Sequence, residues 1–258
     1  MVKIFLVTLS LILLSTIAYA HGISEADKQA MLEGGNLQYI WLGATHMLTG
    51  YDHLLFLFGL VFFLNSFKDV IKYISVFTLG HSITLILATF MGISANYYLI
   101  DAVIAISIIY KGFDNINGFQ KYLGIPSPNL LWMVLLFGLI HGFGLSTRLQ
   151  QLPLGDQNMD MFLRIISFNI GVELGQILAL IPMLFILMYW RKKKSFTQYS
   201  KIINYALMFA GFMLLLMQLH GYLHTTHEEE FGFNSDAHMH IHMDMEAQKQ
   251  KQYTHGTL

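Results

Sequence analysis

The sequence predicts an all-α, polytopic membrane protein. The expected architecture is a six-transmembrane-helix bundle behind a cleaved signal peptide, with the mature N-terminus and the C-terminus both outside. Three observations carry this. The chain of 258 residues is 55% hydrophobic and only 12% charged, against roughly 25% charged residues in an ordinary soluble domain. Its mean hydropathy is +0.52. Its apolar residues also gather into six segments, roughly 38–64, 70–91, 97–113, 130–147, 160–190 and 202–224. Each approaches or exceeds the ~20 residues a helix needs to cross ~30 Å of hydrocarbon. Barrel strands would be shorter and would alternate.

The elements follow in order. Residues 1–20 read as a signal peptide: Lys3 supplies the positive start, Ile4 to Leu14 the short apolar run, and Ala18-Tyr19-Ala20 the small-x-small cleavage site. The competing reading is an uncleaved first span. Residues 21–37 form a short external segment beginning His21-Gly22, and 38–224 form the bundle. Residues 225–258 are a polar His/Met-rich tail, too hydrophilic to pack alone and expected to be disordered without metal. The intervals Asn65–Asp69, Gly92–Asn96, Asp114–Asn129, Leu149–Asp160 and Arg191–Lys201 are expected loops. No internal repeat stands out.

Charge sets the orientation. With the N-terminus outside, the inner loops and span ends hold Lys68, Lys72, Lys111, Lys121, Arg191, Lys192, Lys193, Lys194 and Lys201, whereas the outer ones hold only Arg148 and Arg164. This is the positive-inside bias. It predicts a bacterial inner membrane protein with its tail on the periplasmic side. The net charge of −1 excludes a strongly basic nucleic-acid binder. The absence of cysteine excludes a disulfide scaffold, thiolate metal sites and a cysteine nucleophile. Any metal chemistry must therefore use His, Asp, Glu, Met and amides, and the chain has 12 histidines.

An ionisable residue in hydrocarbon is costly, so it usually faces the bundle interior, pairs, or serves function. The first span carries His46 and His53, which lie about 10 Å apart along a straight helix, too far to share one ion. Gly50 stands between them and would permit a break that brings them together. Asp52 adjoins His53 and suits either a ligand or an acceptor that orients an imidazole. The second span has His81, the third Asp101 near its outer end, and the fourth His141. The fifth has Asn169, Glu173 and Gln176 at i, i+4 and i+7, one expected stripe, and Pro182, an expected kink. Counted along the helices, these groups fall in the middle or outer half of the membrane, and no comparable group falls in the inner half. A lone histidine in a span is more often a helix–helix hydrogen-bond partner than a ligand, and Asn169 and Gln176 also suit interhelical glue. It is the shared depth that points to a polar cavity opening outward.

Outside the membrane, His220, His224 and His227 would share one helix face if the sixth helix continues, a plausible divalent-metal site. In the tail, His238, His240 and His242 alternate with Met239, Ile241 and Met243, a pattern that captures metal with little selectivity.

His46 to His53 reads H-x5-D-H. Together with Gly80-His81-Ser82, His141-Gly142-Phe143-Gly144 and the segment Phe168 to Gln176, it resembles the HupE/UreJ family of small bacterial membrane proteins over roughly residues 40–223. The resemblance implies a signal peptide, six spans, and a secondary permease for nickel or cobalt that feeds hydrogenase or urease maturation. It also implies that the H-x5-D-H segment, here His46, Asp52 and His53, is the metal site. The chain departs from the hydrogenase-linked branch, which tends to carry a second histidine shortly after the His-Gly of a later span; here Gly144 and Leu145 follow Phe143. The long tail is also outside the general pattern.

The expectation is therefore an outward-facing permease, not an enzyme. The bilayer and metal ions are its partners, with a homo-oligomer or a metalloenzyme-maturation system as further candidates. His46, Asp52, His53, His81, His141 and Glu173 would pass the ion, supported by Asn169 and Gln176, while the external histidines concentrate it. Imidazole and carboxylate suit nickel or cobalt and also zinc or copper. The alternatives are a metal-binding accessory or sensor without transport, and an intramembrane metal-dependent hydrolase. The hydrolase would need a motif such as HExxH, which does not occur.

Overall fold

A computed structural model describes residues 25–226 except 65, 151 and 155–157. The described residues fold into seven α-helices: α1 (Glu25–Thr49), α2 (Tyr51–Val61), α3 (Phe67–Phe90), α4 (Tyr97–Asn115), α5 (Leu130–Leu149), α6 (Asn158–Arg191) and α7 (Lys194–Thr226). A π-helical turn, Phe119–Leu123, follows α4. Met31–Leu223 form one compact unit. The expected signal peptide and the tail beyond Thr226 lie outside the described residues.

Polar residues in the short intervals set the helix starts. Asn96 accepts from the backbone of Tyr98 and Leu99, and Asn129 from Leu131 and Trp132, so each supplies partners that a helix N-terminus lacks. Ser66 caps α3 through the Lys68 amide at 3.2 Å. At the other end of α3, Gly92 takes a φ of +62°. The Ile93 amide then reaches back to Ala88 O at 2.9 Å and the Gly92 amide to Thr89 O at 3.3 Å, the Schellman closure that glycine favours. Arg191, at the end of α6, donates to the carbonyls of Val61, Phe62 and Leu64 and so satisfies the C-terminal end of α2.

Among the described residues, four helices are long and apolar enough to cross a membrane: Phe67–Phe90, Leu130–Leu149, Met159–Arg191 and Lys194–His224. Their outward faces carry exposed Leu79, Trp132, Leu178, Phe185 and Phe209, as a lipid-facing surface requires. The expected first span is not one helix. The chain is helical from Glu25, well before residue 38, breaks at Gly35, where φ is +56° and ψ −149°, and breaks again at Gly50 between α1 and the short α2. The interval expected as a loop at Arg191–Lys201 is mostly helix, because α7 starts at Lys194. Helix α6 continues through Pro182 to Arg191.

Glycines bring two helix pairs to backbone contact. On α1, a Cβ at Gly43 would stand 2.1 Å from Phe168 O of α6, and one at Gly171 would stand 2.0 Å from Ile40 O. On α5, a Cβ at Gly138 would stand 2.3 Å from Phe77 O of α3, and one at Gly142 would stand 2.1 Å from His81 O. Only residues without a side chain permit these crossings. Each crossing sets a histidine close to it: His46 three residues after Gly43, and His141 three after Gly138.

Candidate metal centre

The break at Gly50 builds the site. Gly50 is extended, with φ −70° and ψ 95°. His46 sits in the last turn of α1, and Asp52 and His53 in the first turn of α2. The backbone ladder continues on either side of the break, with Gly50 N to His46 O at 2.9 Å and Leu54 N to Gly50 O at 3.0 Å. A straight helix would hold the two histidines about 10 Å apart along its axis. The bend instead places their ring centroids 5.2 Å apart at an interplanar angle of 76°.

His141 completes the cluster from α5. Its ring lies 5.3 Å from that of His53. Phe56 and Phe77 close round His141 at 5.4 and 5.0 Å. His81 lies behind Phe77, stacked on it at 6.1 Å. His53, His81 and His141 are 7%, 1% and 2% exposed, so the imidazoles are held away from water. The helices thus bring together His46, Asp52, His53 and His141, with His81 one aromatic ring away.

Hydrogen bonds decide which ring nitrogens face the cluster. Asp52 Oδ1 accepts from the His53 amide at 2.9 Å and from His53 Nδ1 at 2.8 Å. Asp52 therefore fixes the orientation of the His53 ring. His141 Nδ1 donates to Phe137 O at 2.7 Å. A carbonyl oxygen can only accept, so Nδ1 of His141 carries the proton and, in the neutral ring, Nε2 keeps its lone pair. Among the described residues, Nε2 of His46, Nε2 of His141 and both ring nitrogens of His81 are buried without a hydrogen-bond partner. Leaving such a group unpaired costs about 1–3 kcal/mol, so four such atoms in one region call for a partner, whether a water or a ligand. No three His, Asp or Glu side chains among the described residues already converge on one point that would hold an ion.

The fifth-span stripe divides. Asn169 and Gln176 are 9% and 1% exposed. Asn169 Oδ1 accepts from Ser82 at 3.3 Å and Gln176 Oε1 from Thr78 at 3.2 Å, so both amides join α6 to α3. Their amide nitrogens are buried without partners. Glu173 is not with them. It is exposed on α6, beside exposed Ile170, Leu174 and Ile177. The physical reason is angular: at 100° per residue, Glu173 is turned about 40–60° from its two stripe-mates, and the helices that cover Asn169 and Gln176 leave it outside. Asp101 pairs with Arg148 at 2.6 Å, tying α4 to α5.

Helix α7 runs to Thr226, so His220 and His224 are one turn apart on it, while His227 and the tail histidines His238, His240 and His242 lie outside the described residues.

A second polar group escaped the sequence reading. Lys111, counted there as an inner-end charge, is 5% exposed and bonds Asp114 at 2.7 Å. Beside it, Asn115 donates to Gly59 O at 2.8 Å and to Asn204 Oδ1 at 2.9 Å, joining α4 to α2 and α7. This group lies toward the opposite end of α4 from Asp101, so the half of the bundle expected to be free of polar groups holds a compact set of them. The available signal was Asn204, a polar residue inside an apolar segment.

An all-helical bundle with apolar outer faces and a buried imidazole cluster is the architecture of a multi-pass membrane protein with a polar internal site. The chain belongs to the HupE/UreJ family: the family model described as HupE / UreJ protein matches residues 24–226. No curated protein and no solved structure matches the chain.

Proposed function

We propose that the protein binds a divalent transition-metal ion at the His46–His53–His141 cluster and carries it across the bacterial inner membrane. The observation that supports this most is the pair of 5.2 and 5.3 Å ring contacts linking three imidazoles, with buried Nε2 atoms of His46 and His141 lacking partners. Nitrogen donors in an apolar shell suit nickel and cobalt, with zinc and copper(II) as competitors. In this reading α1 with α2, and α4, complete six spans, both termini are periplasmic, and the tail histidines capture ions outside. His81, Asn169 and Gln176 line the next step.

The test is uptake of radiolabelled nickel or cobalt by proteoliposomes, with metal content of the purified protein measured with and without residues 225–258. The expected result is retained metal in the truncated chain, with binding sharply weakened and uptake lost in His53→Ala and His141→Ala. Uptake unchanged in both variants would overturn the reading. Metal binding that vanishes with the tail alone would favour an accessory or sensor role.

A further inference from the structure

The glycine crossings repeat each other residue by residue. Gly43 of α1 meets Phe168 O of α6 as Gly138 of α5 meets Phe77 O of α3. Gly171 of α6 meets Ile40 O of α1, just as Gly80 of α3 meets Leu135 O of α5. One constant shift along the chain carries Ile40, Gly43 and His46 onto Leu135, Gly138 and His141. A second carries Phe77 and Gly80 onto Phe168 and Gly171.

The same shifts hold at contacts that involve no shared residue type. A Cβ on Gly175 of α6 would stand 2.7 Å from Ala44 O. At the corresponding place, Thr84 of α3 donates to Leu139 O, also at 2.7 Å. The remaining pair obeys the rule as well: Gly112 of α4 packs on Asn204 O and Met208 of α7, and Gly211 of α7 packs on Ala105 O and Ile109 of α4. Helices α1, α3 and α4 thus correspond to α5, α6 and α7.

The relation is inverted. Along α1 and α6 the contacts climb together, from Gly43 at Phe168 to Ala44 at Gly175, so these helices are parallel. Helices α3 and α5 are parallel by the same test, Phe77 at Gly138 and His81 at Gly142. Between the pairs the sense reverses, because Thr78 bonds Gln176 while Ser82, further along α3, bonds Asn169, further back on α6. A two-fold axis across the helices relates the halves, and each half's first helix packs on the other half's second. His46 and His141 are equivalents under it, and the imidazole cluster lies where the two pairs face each other.

The halves differ beyond this level. After Gly50 the first half continues in α2 (Tyr51–Val61), whereas on the other side α5 runs unbroken through the counterpart Leu145 and ends at Leu149. Inverted halves with a site at their interface are the arrangement that alternating exposure uses, since rocking one half against the other turns a central site to the opposite face. We infer that the protein is an alternating-access carrier built of two inverted three-helix halves, with the metal site turned to one membrane face and then the other. This rests on the reading of the cluster as a transport site.

Counterflow tests it. Proteoliposomes of the full chain are loaded with unlabelled nickel and diluted into trace radiolabelled nickel. A carrier gives a transient internal accumulation several-fold above the final level. Downhill uptake without that overshoot would overturn the carrier and leave metal transport standing, whereas no uptake of any kind would overturn both. The cysteine-free chain allows a second arm with Ile40→Cys and Leu135→Cys, the two-fold equivalents. Nickel is expected to shift their labelling by an impermeant maleimide in opposite directions. Rates unchanged by nickel in both variants, on protein that binds it, would overturn the rocking of the halves.

Discussion

Asp52 accepts a hydrogen bond from Nδ1 of His53 at 2.8 Å, and that bond decides which nitrogen of the ring can meet a metal. With Nδ1–H held by the carboxylate, Nε2 is the atom left to coordinate, and the negative partner raises its basicity. Asp52→Asn keeps the shape, removes the charge, and allows the amide to donate so that the ring adopts the wrong tautomer. The expected result is a loss of metal affinity of about 10–100-fold, with unchanged helicity and oligomeric state. Calorimetric titration of purified protein with nickel checks it; affinity within twofold of the parent would contradict the orienting role.

His53 and His141 come from different helices and touch at 5.3 Å. If one ion joins them, their substitutions cannot add. The double variant His53→Ala/His141→Ala should bind no more weakly than the worse single variant, because either removal already loses the shared ion. A double-mutant cycle on binding free energy measures this, and additive losses would show two separate sites.

Protons compete with metal for the same imidazole nitrogens. Binding should weaken as pH falls through the range in which the rings protonate, where the slope of log Kd against pH should approach minus one for each ring that must lose a proton. Affinity that stays constant through the pH range in which the metal-free protein takes up protons at these rings would exclude imidazole as the ligand.

Lys111 and Asp114 form a 2.7 Å ion pair with side chains 7% and 16% exposed. Removing one partner leaves a charge stranded in an apolar setting, at a cost of about 3–5 kcal/mol. Lys111→Met alone should therefore lower thermal stability in detergent far more than Lys111→Met/Asp114→Leu, which removes both charges. Equal losses would mean that the pair acts through packing and not through charge.

Gly43 and Gly138 hold equivalent crossings, so Gly43→Leu and Gly138→Leu should both fail to fold or lose several degrees in Tm. In each case the obstacle is a backbone carbonyl, which cannot turn away as a side chain can. An exposed substitution such as Leu178→Ala should leave Tm within a degree or two. A tolerated Gly43→Leu would show that α1 and α6 are not in contact.

Much of this site was legible in the sequence because costly groups in apolar runs are conspicuous. His46, His53, His81 and His141 each interrupt hydrophobic stretches, and Gly50 between two of them was a sufficient hint of the break. Glu173 misled because i, i+4 spacing places residues on one side of a helix without saying where a neighbouring helix stops covering it. Lys111 misled because a lysine near a helix end reads as a loop charge, and only Asp114, from the next turn, and the packing of α2 and α7 reveal it as buried. The duplication was invisible for a different reason. Its halves share backbone-to-backbone contacts, and those need a glycine or small residue at a few places and leave the rest of each helix unconstrained.

The crossing of Gly43 with Phe168 also bears on how the chain is assembled. Helix α1 is made first, but its tightest neighbour, α6, is among the last to leave the ribosome. In between, α3 must wait for α5. The early helices therefore enter the bilayer with their glycine grooves uncovered. Closure comes from contacts between distant parts of the chain, the kind that forms slowly. Neither half buries its own grooves, so a chain interrupted before α6 would expose them to whatever other helices the membrane holds.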